Sequence, residues 1–305
     1  MNKILAEIKE IPVRALAILE TPVPSLPLQV PYIGMGSSYF APLAFKYMGV
    51  PIQPEIASEY YQYLAKEKQA MAVILSQSGK SSEALWCTEL FDRYVAVTNY
   101  PENALAQQTN VSQVIDIKAG EEHYSSSKTY VNTLLALFKG FGYDPSRTVE
   151  LLIEKIPEYE AKGKALAREV FDILAANTIH GIYVTGSGPN AATAMEAGLI
   201  LSESTKRSFQ GLPMAQYDHG PKETAENSLV IQIMAKGKNY ERALKLNERI
   251  QQFGASVLTV EVEEPEEHFS ILHHIVVFNF LAFYLSDLLG IKEMFAVGGK
   301  VTEVH

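Results

Sequence analysis

An α/β fold is predicted, made of two doubly wound parallel-sheet α/β/α sandwiches related by an internal repeat. Three observations predict it. Short apolar runs alternate with helical stretches. Two of the runs end in glycine turns. The pattern is met twice, the copies lying about 150 residues apart. In the first copy the run V-P-Y-I-G-M-G-S-S spans Val30 to Ser38, and a helical stretch follows from Tyr39 to Met48. The next strand, Ala70 to Leu75, leads into Ser76-Gln77-Ser78-Gly79. Tyr94 to Thr98 and Val114 to Ile117 read as further strands, and Tyr130 to Phe138 as a helix. In the second copy Gly181 to Gly188 ends in G-S-G, a helix covers Ala191 to Leu201, and strands cover Ser228 to Met234 and Ala255 to Val260. Continuous apolar strands alternating with helices indicate parallel sheets covered on both faces. Thr148 to Ala175 carries helical periodicity and many charges, and reads as the helix joining the halves. The expected domains are 1–147 and 148–305. Ligands of such sheets sit beyond the carboxyl ends of the strands, where the glycine turns lie.

The chain has 305 residues and fits about two domains. Hydrophobic residues make up 47% and charged residues 20%, which excludes wholesale disorder. The net charge of −9 argues against nucleic acid or an anionic membrane as partner. A single cysteine, Cys87, forms no internal disulfide and fits a reducing compartment. The first twenty residues lack a secretory core, and no run reaches the roughly 18 apolar residues of a membrane span. A cytoplasmic protein is expected.

The sharpest local signal is Ser76 to Ser82, S-Q-S-G-K-S-S, directly after an apolar strand. Hydroxyls and backbone amides at a strand-to-helix turn are donors suited to a phosphate, with Glu83 placed to cap the helix; helix capping alone is the simpler reading. A Walker A loop would need glycine where Ile74 stands. Gly186, Gly188 and Ala191 match a dinucleotide fingerprint formally, but Pro189 intrudes and no acidic strand end follows. A second serine cluster runs from Glu121 to Thr129.

Among acid–base candidates, Glu203 ends an apolar helix, where a carboxylate tends toward a raised pKa and suits a general base. His219 precedes Gly220-Pro221, a rigid turn able to fix an imidazole that titrates near neutrality. His273 and His274 are adjacent, point apart, and read as structural, so no metal site is expected. His123 is open to either reading. Cys87 reads as packed. Lys300 follows Gly298-Gly299, which would let the backbone approach a ligand.

These residues resemble the sugar-isomerase (SIS) family: the isomerase half of glucosamine-6-phosphate synthase, and the SIS-type glucosamine-6-phosphate deaminases. The resemblance covers nearly the whole chain. It rests on E-I-K-E-I-P at Glu7 to Pro12, G-S-S-Y at Gly36 to Tyr39, E-I-A-S-E at Glu55 to Glu59, S-Q-S-G at Ser76 to Gly79, and S-S-K at Ser126 to Lys128. Glu203, His219-Gly220-Pro221 and Lys300 follow at the family's places and spacing. The resemblance implies that Ser38, Ser76, Gln77, Ser78 and Ser81 hold a sugar phosphate, and that Glu121 and Ser126 line the sugar. It implies that Glu203 moves a proton between C1 and C2. His219, supplied by the neighbouring subunit of a homodimer, would assist ring opening, and Lys300 would contact the open-chain carbonyl or its imine. No cofactor or metal is implied. Ile200 stands where the family has a lysine, and Gly-Gly-Lys-Val-Thr replaces its terminal Ala-Lys-Ser-Val context. With no glutaminase nucleophile in this chain, glutamine-dependent synthesis is not expected of it. The expected reaction is conversion of glucosamine 6-phosphate to fructose 6-phosphate and ammonia. The alternatives are a deglycase of a 6-phosphorylated glycated amine, a plain aldose–ketose isomerase, or a non-catalytic phosphosugar-binding regulator.

Overall fold

A computed structural model describes residues 2–298, 301 and 302. In chain order the elements are α1 (Asn2–Lys9), α2 (Ile11–Glu20), β1 (Pro31–Gly34), α3 (Ser37–Tyr47), β2 (Gln53–Ile56), α4 (Ala57–Glu59, running into a π turn, Tyr60–Leu64), β3 (Gln69–Leu75), α5 (Ser82–Cys87), β4 (Phe91–Thr98), β5 (Val111–Asp116) and α6 (Lys128–Gly140). Then follow α7 (Ser146–Ala176), β6 (Gly181–Gly186), α8 (Asn190–Thr205), β7 (Phe209–Pro213), α9 (Met214–Asp218), β8 (Ser228–Met234), α10 (Tyr240–Gln252), β9 (Ser256–Glu261) and α11 (Ser270–Leu288).

The chain forms two compact units, and each gathers a terminal segment from the far end of the sequence. One unit comprises residues 13–146 with 297, 298, 301 and 302; the other comprises 2–12 and 147–296. They are called here the serine-loop unit and the long-helix unit.

The serine-loop unit carries five parallel strands in the order β2-β1-β3-β4-β5. Val73, Ile74 and Leu75 of β3 and Tyr94 to Val97 of β4 are all buried, as strands covered on both faces require. The order reverses direction between β1 and β3, so the turns after these strands emerge side by side at a switch point. Gly34 ends β1 because a Cβ there would lie 2.4 Å from the Ser38 carbonyl oxygen. Lys139 of α6 closes the carboxyl end of α2, its ammonium donating to the Ile18 and Thr21 carbonyls at 2.9 and 2.6 Å.

The long-helix unit carries four parallel strands in the order β7-β6-β8-β9. Every residue of β8 is buried. So is nearly all of α11, which is long and apolar enough by composition to cross a membrane. His273, His274, Asn279 and Asp287 interrupt the run in the sequence. The helix is 83% buried over its most apolar window, so the unit's own core accounts for its hydrophobicity. A polar network ties α11 to α7. Thr148 donates its hydroxyl to Glu264 at 2.6 Å and lies 2.7 Å from His273 Nε2; Tyr159 OH lies 2.7 Å from His273 Nδ1. Glu264 and His273 pair at 3.3 Å with both side chains buried. Burial would raise the Glu264 carboxyl, but hydrogen bonds from His273, Thr148 and the Glu266 amide outweigh it and hold the group down to about 2.

The helices expected at 39–48, 130–138, 148–175 and 191–201 are present, each extended by a residue or more at one end or both. The edge strands β2 and β7 are additions to the strands expected from the sequence.

Candidate active site

In the serine-loop unit, the predicted donors stand on turns at the carboxyl ends of the strands. Ser38 lies in the first turn of α3, just past β1. Ser76 to Ser81 form the turn after β3, and α5 begins at Ser82. The turn folds on itself: the Gly79 amide donates to Ser76 Oγ at 3.2 Å, and the Lys80 amide to Ser78 Oγ at 3.3 Å. These hydroxyls act as acceptors inside the loop. Their own hydrogens, and that of Ser81, meet no acceptor among the described residues and stay available as donors.

Gly79 makes this turn with φ +64°, and a Cβ there would lie 2.0 Å from the Asn103 side chain. Asn103 donates to Thr98 Oγ1 at 2.5 Å, and Thr98 in turn donates to the Gln77 carbonyl at 3.2 Å. The end of β4 therefore holds the loop from beneath. Glu83, expected to cap α5, instead accepts the Thr302 hydroxyl at 2.6 Å, while Ser82 donates to the Thr302 carbonyl. The terminal segment thus returns to the start of α5. Lys300 lies outside the described residues.

The second serine cluster follows β5 and leads into α6. Glu122 organises it, accepting from the Ser127 amide at 3.1 Å, the Ser127 hydroxyl at 2.7 Å and the Thr129 hydroxyl. Ser126 Oγ lies 3.0 Å from Thr129 Oγ1. Glu121, the acid singled out from the sequence, is exposed and pairs with His123 at 3.4 Å. The acid bonded into the cluster is its neighbour, Glu122.

The long-helix unit holds Glu203 and His219. Glu203 is half-buried near the carboxyl end of α8, and its carbonyl accepts from Lys206 Nζ at 3.1 Å. Thirteen residues of helix separate it from Asn190, a rise of about 20 Å, so it stands far from the Gly186–Gly188 turn where α8 starts. His219 is exposed at the end of α9, and its imidazole makes no hydrogen bond among the described residues. The adjacent Asp218 pins the turn through Arg242 at 2.8 Å and Lys222 at 3.0 Å, and these hold its carboxyl below the usual range.

At the carboxyl end of this unit's sheet, Glu267 lies against the glycine turns that follow β6 and β8. A Cβ on Gly237 would lie 2.2 Å from the Glu267 carboxyl carbon, and one on Gly188 3.2 Å from Oε1. Burial pushes this carboxyl up. A pyrophosphate at the Gly186–Gly188 turn would meet a carboxylate, which counts against the formal dinucleotide match. The remaining candidates keep structural surroundings. His273 sits in the buried network, and His274 Nδ1 donates to the Ser270 carbonyl at 2.9 Å. Cys87 is buried, its thiol pushed up to about 12 chiefly by burial. No group of three metal-ligating side chains is found among the described residues.

No family model matches the chain. Curated relatives do. It is 26% identical over 290 residues to a glutamine–fructose-6-phosphate aminotransferase (isomerizing) from Pyrococcus horikoshii, covering 84% of this chain and 48% of that protein. To the same enzyme of Methanothermobacter thermautotrophicus it is 24% identical over 241 residues, covering 75% and 40%. The chain therefore spans less than half the length of these relatives, and the part it matches is their isomerase half. Among solved structures, glucosamine-6-phosphate deaminase from Thermotoga maritima superposes with a TM-score of 0.79 at 19% identity, covering 95% of both chains. The C-terminal domain of glucosamine-fructose-6-phosphate aminotransferase from Francisella tularensis gives 0.76 at 17% identity, covering 94% and 96%. Tagatose-6-phosphate ketose/aldose isomerase from Escherichia coli gives 0.69 at 13% identity, covering 95% and 89%. The chain thus resembles the sugar-isomerase family both in aligned sequence and in fold.

Proposed function

We propose that the protein is a phosphosugar isomerase of the deaminating kind, converting glucosamine 6-phosphate to fructose 6-phosphate and ammonia. The observation that carries this reading is the serine loop at the switch point of β1 and β3, with hydroxyl donors uncommitted and the loop braced from β4. Glu267 disfavours an anion at the corresponding place in the long-helix unit, so the phosphate is assigned to Ser38, Ser76, Gln77, Ser78 and Ser81. The two sheets read as copies of one unit, supported by the shared order of their first four strands. One copy keeps the phosphate site and the other has closed it.

In this mechanism His219 assists opening of the sugar ring, consistent with its exposure, and acts from the neighbouring subunit of a homodimer. Glu203 removes the proton from C2 of the open-chain aldose. An enolamine forms as the C1 carbonyl oxygen gains a proton. Return of a proton to C1 gives the ketimine. Water adds at C2 and ammonia leaves, which balances the reaction with one water consumed. Ser126 and the acids at 121–122 line the sugar, and Lys300 meets the open-chain carbonyl or its imine.

The test is to incubate the purified protein with glucosamine 6-phosphate and measure ammonia and fructose 6-phosphate together. Equal amounts are expected. Glu203→Gln is expected to lose about 10²–10⁴-fold in kcat, the usual worth of a placed general base, while still binding fructose 6-phosphate. Absence of both products with wild-type protein, while fructose 6-phosphate still raises the melting temperature, would transfer the site to a deglycase or a phosphosugar-binding regulator.

A further inference from the structure

Asn99 follows β4 directly and is buried. Its backbone amide donates to the Gln77 carbonyl at 3.0 Å, inside the serine loop. Its side chain faces the other candidate loop: Nδ2 donates to the Gly120 carbonyl at 2.5 Å, and Oδ1 accepts from the Ala119 amide at 2.9 Å. One residue therefore bonds by its main chain to the loop of Ser76, Gln77, Ser78 and Ser81, and by its side chain to the loop that leads to Glu121, Glu122 and Ser126. Thr98 and Asn103, its neighbours, brace the serine loop and each other.

We propose that Asn99 is a positioning residue that sets the spacing between the two loops, so that a phosphate held by one and a sugar lined by the other are gripped as a single ligand. The geometry stands by itself; its consequence for a ligand rests on the phosphosugar reading above. The primary amide suits the task because its planar end offers a donor and an acceptor to two groups of one peptide segment. A carboxylate of the same shape would keep the bond from Ala119 but set an anionic oxygen against the Gly120 carbonyl oxygen.

The decisive experiment compares Asn99→Asp with wild type in two ways. Amide hydrogen exchange of the ligand-free protein is read by segment, and affinities for fructose 6-phosphate and inorganic phosphate are measured by calorimetry. Exchange is expected to rise in 119–127 and to stay unchanged in 69–82 and 91–98, because the main-chain bond to Gln77 survives. Affinity for fructose 6-phosphate is expected to fall about ten-fold, the equivalent of one lost hydrogen bond, while affinity for inorganic phosphate holds within about two-fold. Unchanged exchange in 119–127 overturns the proposal, as does faster exchange throughout the unit, which marks a merely structural residue. An equal loss of both affinities overturns it too. Should the wild type bind neither ligand, the phosphosugar reading falls, and the exchange data still decide whether Asn99 holds the loop. Asn99→Ser, which keeps a donor in a smaller side chain, is read in the same way if the aspartate variant does not fold.

Discussion

Replacing Glu264 by Gln tests the electrostatic account of the long-helix unit. The substitution keeps shape and removes charge. Glu264 accepts from Thr148 at 2.6 Å and from the Glu266 amide at 3.0 Å, and pairs with His273 at 3.3 Å. Its carboxyl is held down to about 2 from an ordinary 4.5. The folded state therefore favours the ionised form by roughly 3 kcal/mol, at about 1.4 kcal/mol for each factor of ten. The pKa is depressed on folding, so this stability is present above the unfolded value and is lost as pH falls from about 4.5 toward 2. Glu264→Gln should cost about 3 kcal/mol at pH 7 and only about half as much at pH 3, where the wild type has already surrendered part of the gain. The assay is urea unfolding at both pH values, followed through hydrogen exchange of α7 and α11, because the single tryptophan, Trp86, lies in the other unit. A cost below about 1 kcal/mol at pH 7, or an equal cost at both values, would refute the argument that fixed hydrogen bonds and His273 outweigh the burial of this carboxylate.

Two further outcomes follow from the serine-loop unit. Gly79→Ala forces a side chain into φ +64° and against Asn103, at a cost of about 1–2 kcal/mol; the fold should survive with a melting point a few degrees lower, but fructose 6-phosphate affinity should drop at least about ten-fold. Wild-type affinity in a calorimetric titration of that variant would show that the turn does not depend on the left-handed glycine. Cys87 is buried, its thiol pushed up to about 12, with Sγ 3.4 Å from the Ala57 carbonyl; a thiol reagent should modify it only after denaturation, and rapid reaction of the native protein would contradict the packing.

The parallel sheets were legible because their central strands contain unbroken apolar runs. Val73 to Leu75, ending at Ser76, and Leu229 to Ile231, starting after Ser228, need no neighbour to be recognised. The missed strands are both edges. β2 reads Q-P-E-I and β7 reads F-Q-G-L-P, and a proline or glycine is tolerated where one side of the ladder is free. Such strands form because a neighbour offers a register, which local pattern does not record. At the site, hydroxyl density before a helix picked out Ser76 to Ser81. The resemblance pointed to Glu121, whereas the acid bonded into the cluster is Glu122, since inward and outward acids look alike in one dimension. Asn99 and Glu267 were invisible for a different reason: their roles come from peptide groups and glycines about twenty to eighty positions away.

The exchange of terminal segments between the units has a topological consequence. Severing the chain between 146 and 147 would not yield two autonomous halves, because residues 2–12 would stay on one piece while their packing partners left on the other, and residues 297, 298, 301 and 302 likewise. Each piece would carry a segment foreign to its own core and lack one that its core requires. The two cores are in this sense sewn together three times by the covalent chain, at 12–13, 146–147 and 296–297. An insertion or domain fusion would respect the architecture at the loops between strands and helices, and would disrupt it at the residues that a simple bisection of the sequence would choose.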